Sequence, residues 1–108
     1  MLRNQTADPD SVTEQKQALA WHVLEDDGGQ VDVIIHNDDV TPMEFVIVVL
    51  RTVFDLNQVA AAAVMLRAHY GGKAVVATLP REEAKHRVGR AHGLARGAGY
   101  PLTFSIEP

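Results

Sequence analysis

The chain contains no cysteine and only two serines, Ser11 and Ser105. The first absence excludes disulfides and thiolate metal sites and fits a reducing, cytoplasmic setting. The second leaves little room for a serine nucleophile: neither serine has a histidine close by in sequence or sits in a glycine-flanked elbow. Long apolar runs are also missing. The longest, Val59–Leu66, has eight residues, against the roughly 18 that a membrane-spanning helix needs. The first residues, Met1-Leu2-Arg3-Asn4-Gln5-Thr6, carry no apolar stretch, so no signal peptide is expected. No excess of positive charge exists either. The net charge of −4 argues against nucleic acid as a main partner. Two glycine pairs fall short of ligand motifs. Gly71-Gly72-Lys73 lacks the first glycine and the Ser/Thr of a phosphate loop, and Asp26-Asp27-Gly28-Gly29 lacks the calcium-loop spacing.

What is present suffices for one small domain. The 108 residues are 46% hydrophobic, enough for a core and too much for global disorder. The charge is uneven. Residues 1–39 hold nine acids (Asp8, Asp10, Glu14, Glu25, Asp26, Asp27, Asp32, Asp38, Asp39) against Arg3 and Lys16, whereas the remainder is net basic. An acidic segment of this kind suits a cationic ligand near its end, or simply forms a solvated surface.

Residues 1–20 read as a polar tail broken at Asp8-Pro9-Asp10, and residues 21–108 as the domain. Residues 31–36 read as a strand, with room for an extra strand over 21–24 across a Gly28-Gly29 turn. Thr41, Pro42 and Glu44 have the spacing of a capping box, so the run that follows is expected to be a helix over 42–54 despite its β-branched residues. That helix is apolar nearly all round, which predicts burial. Asn57 can cap an alanine-rich helix over 58–69 that Gly71-Gly72 terminates. Residues 73–79 read as a strand. After Pro80 comes a helix over 81–96 with the stripe Ala84, Val88, Ala91, Ala95, and residues 102–106 form a closing strand. The expected fold is α+β: a small α/β sandwich of three helices on one face of a three-stranded antiparallel sheet, in the order β-α-α-β-α-β.

Two polar clusters could carry chemistry: His36-Asn37-Asp38-Asp39 after the first strand, and His69 at the end of the second helix. If the chain stays extended past residue 36, Ile35, Asn37 and Asp39 share one side. A protonated amine offers three donors and no acceptor. An Asn Oδ1, a carboxylate and a neutral imidazole nitrogen can each accept one. Ile35, Thr41, Met43, Val46, Met65, Ala68 and Leu102 could form the adjoining apolar pocket, which suits a cationic head on a greasy group, such as a peptide N-terminus with a bulky first side chain. The plainer alternative makes Asp38 and Asp39 turn residues, His69 a helix cap, and Met43 and Met65 core. An enzyme reading would place His36, Asp38 and His69 around a metal, but no pair has helical ligand spacing and no nucleophile is at hand.

The segments Asn37-Asp38-Asp39-x-Thr41-Pro42-Met43-Glu44-Phe45-Val46, Met65-Leu66-x-x-His69-x-x-Gly72-Lys73-Ala74 and Pro101-Leu102 together resemble ClpS, the adaptor family of the bacterial N-end rule pathway, over roughly residues 31–107. The resemblance implies no catalysis and no cofactor. It implies binding of N-degron substrates that begin with Leu, Phe, Tyr or Trp, and their delivery to the N-domain of a ClpA-type AAA+ unfoldase of the Clp protease. Asn37, Asp38, Asp39 and His69 would then take the α-amino group. Ile35, Thr41, Met43, Val46, Met65, Ala68 and Leu102 would line the side-chain pocket, with Met43 as gatekeeper against β-branched residues. Glu82 and Arg87 would touch the unfoldase. The chain departs from the family at Val40, where an aromatic is common, at Ala68, where valine is usual, and in lacking a proline-rich junction before the first strand. A divergent paralogue that acts as an interaction module without N-degron binding is the alternative.

Overall fold

The computed structural model describes residues 29–108; the tail over 1–20 and the extra strand over 21–24 lie outside the described residues. Three strands and three helices follow in the order β1 (Gln30–His36), α1 (Met43–Thr52), α2 (Gln58–Gly71), β2 (Lys73–Pro80), α3 (Arg81–Gly97) and β3 (Thr103–Glu107). This is the expected β-α-α-β-α-β order. The sheet is antiparallel with β1 in the centre, in the order β2-β1-β3.

The central strand explains the apolar run at residues 31–35. Val31, Val33 and Ile35 face the helices and are almost fully buried, as alternation in a half-covered sheet requires. A bulge interrupts β2. Val33 pairs with Ala77 and Ile34 with Val75, so Val76 is the extra residue. The bulge turns both Val76 and Ala77 toward the core.

All three helices lie on the side of the sheet lined by Val31, Val33, Ile35, Phe104 and Ile106. The small-residue stripe of α3 (Ala84, Val88, Ala91, Ala95) is buried as predicted and crosses all three strands. Small side chains let the helix approach the sheet closely, while Phe54 and Phe104 fill the gap beside it with rings 5.2 Å apart. Helix α2 packs on β2, and α1 packs on α2.

The structure corrects the expectations for α1 in two respects. The capping box does not form. Pro42 occupies the cap position, with φ −63° and ψ 143°, and its carbonyl accepts from Phe45 N–H (3.0 Å) and Val46 N–H (3.1 Å). The Thr41 N–H and hydroxyl are both turned back to Asp38 instead. The helix is also not buried all round: Val46, Val49 and Leu50 face the core, but Val48 is 52% exposed. Among the described residues, a two-layer fold has no third layer to cover its outer side. The helix ends at Thr52 rather than residue 54, because the chain turns into Asp55, which adopts φ 59°.

Helix α2 begins as expected, with Asn57 Oδ1 accepting from Ala60 N–H at 2.8 Å. It runs to Gly71 and stops at Gly72, whose φ of 94° favours glycine. Arg87 ties α3 to the end of α1. Its guanidinium donates to the Val53 carbonyl (3.0 Å) and pairs with Asp55 (3.1 Å) and Glu83 (2.7 Å). Among the described residues no helix is long and apolar enough to cross a membrane.

Candidate functional site

The end of β1 and the end of α2 meet. Asn37 N–H donates to the Gly72 carbonyl at 2.9 Å, which joins the acidic loop to the helix terminus that carries His69. The left-handed Gly72 aims its carbonyl at the loop, and its own N–H satisfies the Ala68 carbonyl (2.8 Å). An open cleft of about 160 Å³ lies at this junction, lined by Ile35, His36, Asn37, Asp38, Asp39, Thr41, Met43, Val46, Met65, Ala68 and His69. Two segments separated by a whole helix in sequence thus form one site.

Its parts differ in character. Ile35, Val46, Met65 and Ala68 are buried and supply an apolar floor. Met43, at the first turn of α1, is 44% exposed at the mouth. Asn37, Asp39 and His69 are exposed and form a polar rim. The rim lies next to the floor, so a ligand can place an amine on one and an apolar side chain in the other.

Asp38 stands apart from the other acceptors. Its Oδ1 accepts from Val40 N–H (2.8 Å) and Thr41 N–H (2.6 Å), and its Oδ2 from the Thr41 hydroxyl (3.0 Å). Partial burial alone would raise its pKa. The Thr41 N–H, the Val40 N–H and the Thr41 hydroxyl outweigh that, Arg96 adds attraction, and the net direction is downward from the ordinary carboxylate value. The charge therefore braces the loop, and Asp38 has fewer lone pairs left for a ligand than Asp39.

The extended backbone assumed after residue 36 ends there: residues 39–41 form a bend, not a strand. Alternation on β1 brings Ile35 to the cleft, whereas Asp39 reaches it from the bend. Leu102 does not join them. It is 1% exposed, within the core beneath α3, and its carbonyl accepts from Arg96 at 2.8 Å. Glu82 lies on the outer surface of α3 in a 3.4 Å pair with Lys85. Arg87 is partly covered by the contacts to Val53, Asp55 and Glu83 described above.

His36 belongs to the lining, although the sequence suggested it only as a metal ligand. Its Nε2 shares a 2.7 Å hydrogen bond with Ser105 of β3, which pins the strand end from which the acidic loop departs. Adjacency to Asn37 was the available signal; the partner on β3 was not visible. Among the described residues no three His, Asp or Glu side chains converge to hold a metal ion.

A two-layer α/β sandwich with a solvent-open cleft, apolar below and acceptor-rich at its rim, is the class defined by this fold and site. The chain belongs to the ClpS family: the model of the ATP-dependent Clp protease adaptor protein ClpS matches residues 27–105. It is 43% identical over 75 residues to the Clp protease adapter protein ClpS of Desulforapulum autotrophicum, covering 69% of this chain and 72% of that protein. It is equally identical over 76 residues to ClpS 2 of Agrobacterium fabrum, covering 70% of this chain and 74% of that protein. Among solved structures, ClpS2 of Agrobacterium tumefaciens bound to L-phenylalaninamide superposes with a TM-score of 0.72 at 41% identity, covering 74% of this chain and 96% of that one.

Proposed function

We propose that this Clp protease adaptor recognises the free N-terminus of proteins that begin with Leu, Phe, Tyr or Trp. In this reading it delivers them to a ClpA-type AAA+ unfoldase without acting on them chemically. One observation carries the reading: a cleft of about 160 Å³ with an apolar floor bears three exposed acceptors at its rim, Asn37, Asp39 and His69, and a relative of 41% identity binds L-phenylalaninamide. That ligand has a free amine, a phenyl side chain and an uncharged carboxamide, which are the features of a peptide's first residue.

The chemistry follows from the parts. The ammonium donates to Asn37 Oδ1, the Asp39 carboxylate and a neutral nitrogen of His69, each charge-assisted bond contributing about 1.5–3 kcal/mol. The first side chain enters between Ile35, Met43, Val46, Met65 and Ala68, and burying it contributes about 1.5–3 kcal/mol. Asp38 holds the loop in the conformation that presents Asn37 and Asp39. Residues 1–20 and the exposed surface around Glu82, with Arg87 behind it, are the parts proposed to meet the unfoldase N-domain in the cytoplasm.

Titration of fluorescent peptides tests this. A Phe- or Leu-initiated peptide should bind and be recovered intact. The same peptide N-acetylated should bind at least about 100-fold more weakly, because acetylation removes the charge and leaves acceptors unpaired. Equal affinity for the two forms would overturn the amine site.

A further inference from the structure

Among the described residues, His36, His92 and His69 are held in different ways. His36 is fixed by Ser105 (2.7 Å) and His92 by the Phe104 N–H, which it accepts at 2.9 Å. His69, the one placed on the cleft rim, has no hydrogen-bond partner among the described residues. Its contact is with the ring of Tyr70, edge to face, with centroids 4.8 Å apart and planes at 79°. An imidazole that must aim a lone pair at a ligand's amine ordinarily has its orientation set by a hydrogen bond at the other nitrogen. Here an aromatic contact stands in that place.

Tyr70 is otherwise hard to account for. It is 81% exposed on the last turn of α2, so it adds little to the core. No hydrogen bond of its hydroxyl is found among the described residues. An exposed tyrosine in ring contact with the rim histidine is explained by what it does to that histidine. We infer that Tyr70 is a positioning residue: its ring restricts the His69 imidazole to the orientation in which a nitrogen faces the cleft, and so lowers the ordering cost of amine binding. This rests on the amine-site reading above. An aromatic pair of this geometry is worth about two- to tenfold in an equilibrium constant.

The test is a double-mutant cycle on the full chain with a Phe-initiated fluorescent peptide. Tyr70→Ala should weaken binding about two- to tenfold. Tyr70→Phe, which keeps the ring, should stay within about twofold of the unsubstituted chain. In a His69→Ala background, Tyr70→Ala should have almost no further effect, since nothing remains to position. The His69 ring protons should shift in the NMR spectrum of ligand-free Tyr70→Ala, with the thermal midpoint unchanged. Unaltered affinity in Tyr70→Ala, or an equal loss with and without His69, would overturn the positioning role while leaving the amine site standing. Failure of the unsubstituted chain to bind the peptide would overturn both, and the N-acetylated control separates that case.

Discussion

The two lips of the cleft are built on different principles. The loop lip, residues 37–41, is held by polar bonds: Asn37 N–H to Gly72, and three donors on the Asp38 carboxylate. The helical lip is held by packing. Met65 and Ala68 anchor it from below, and His69 stands exposed with only a ring contact beside it. The loop needs the hydrogen bonds because it has no regular structure to satisfy its backbone, whereas the helix satisfies its own. One lip is therefore sensitive to the loss of a single charge, and the other to changes in shape.

The largest effect expected from breaking this contrast is at Asp38. Asp38→Ala removes the acceptor of the Val40 and Thr41 donors, which are exposed or part-buried, and should cost about 0.5–1.5 kcal/mol of stability, together with at least about tenfold in affinity for a Phe-initiated peptide. Urea unfolding and peptide titration measure the two. The pH dependence has a definite sign. The folded pKa lies below the ordinary aspartate value of 3.8, so the stabilisation is present above that value and is lost as pH falls through the folded pKa. The stability gap between the native chain and Asp38→Asn should narrow below about pH 4. A constant gap down to pH 3 would show that the carboxylate charge does not brace the loop.

The apolar part of the cleft, to which α1 also contributes, should answer to shape instead. Met43 lines the cleft and is partly exposed. Met43→Ala should raise affinity for Ile- or Val-initiated peptides by about tenfold, the scale on which a pocket distinguishes a methylene or two. Stability should change by less than about 0.5 kcal/mol, because the side chain is already exposed. An unchanged ranking of first residues would remove Met43 from the specificity pocket.

A smaller effect, away from both lips, serves as a control. His92 accepts the Phe104 N–H, which the imidazolium form cannot do. Burial first, and the Arg96 charge second, hold its pKa below 6.5. The unfolded chain therefore binds the proton more readily, and stability should fall as pH drops from about 6.5 through the folded pKa. His92→Gln should flatten that part of the profile in thermal melts, with peptide affinity at pH 7.5 within about twofold of native. A profile that His92→Gln leaves unchanged would assign the loss to another group.

Much of this architecture was legible in the order of residues, because its signals are local. Asn57 capping α2, Gly72 ending it and the alanine stripe of α3 each follow from interactions within a few positions. So does the alternation of Val31, Val33 and Ile35 on the central strand. The two acceptor clusters were visible in the same way, as side chains of the right chemistry at the ends of elements.

Tertiary structure decided the rest. Thr41 had the spacing of a capping residue, yet Asp38 takes both its N–H and its hydroxyl proton, and Pro42 stands at the cap position instead. Leu102 went to the core rather than the cleft because the chain after α3 runs beneath the helix, held there by Arg96. The pairing of His36 with Ser105, the Arg96 field on Asp38 and the meeting of Asn37 with Gly72 all join residues distant in sequence. Local propensity determines which elements form and where acceptors stand on them. Only the packing of those elements determines which acceptors are consumed inside the protein and which remain free for a ligand.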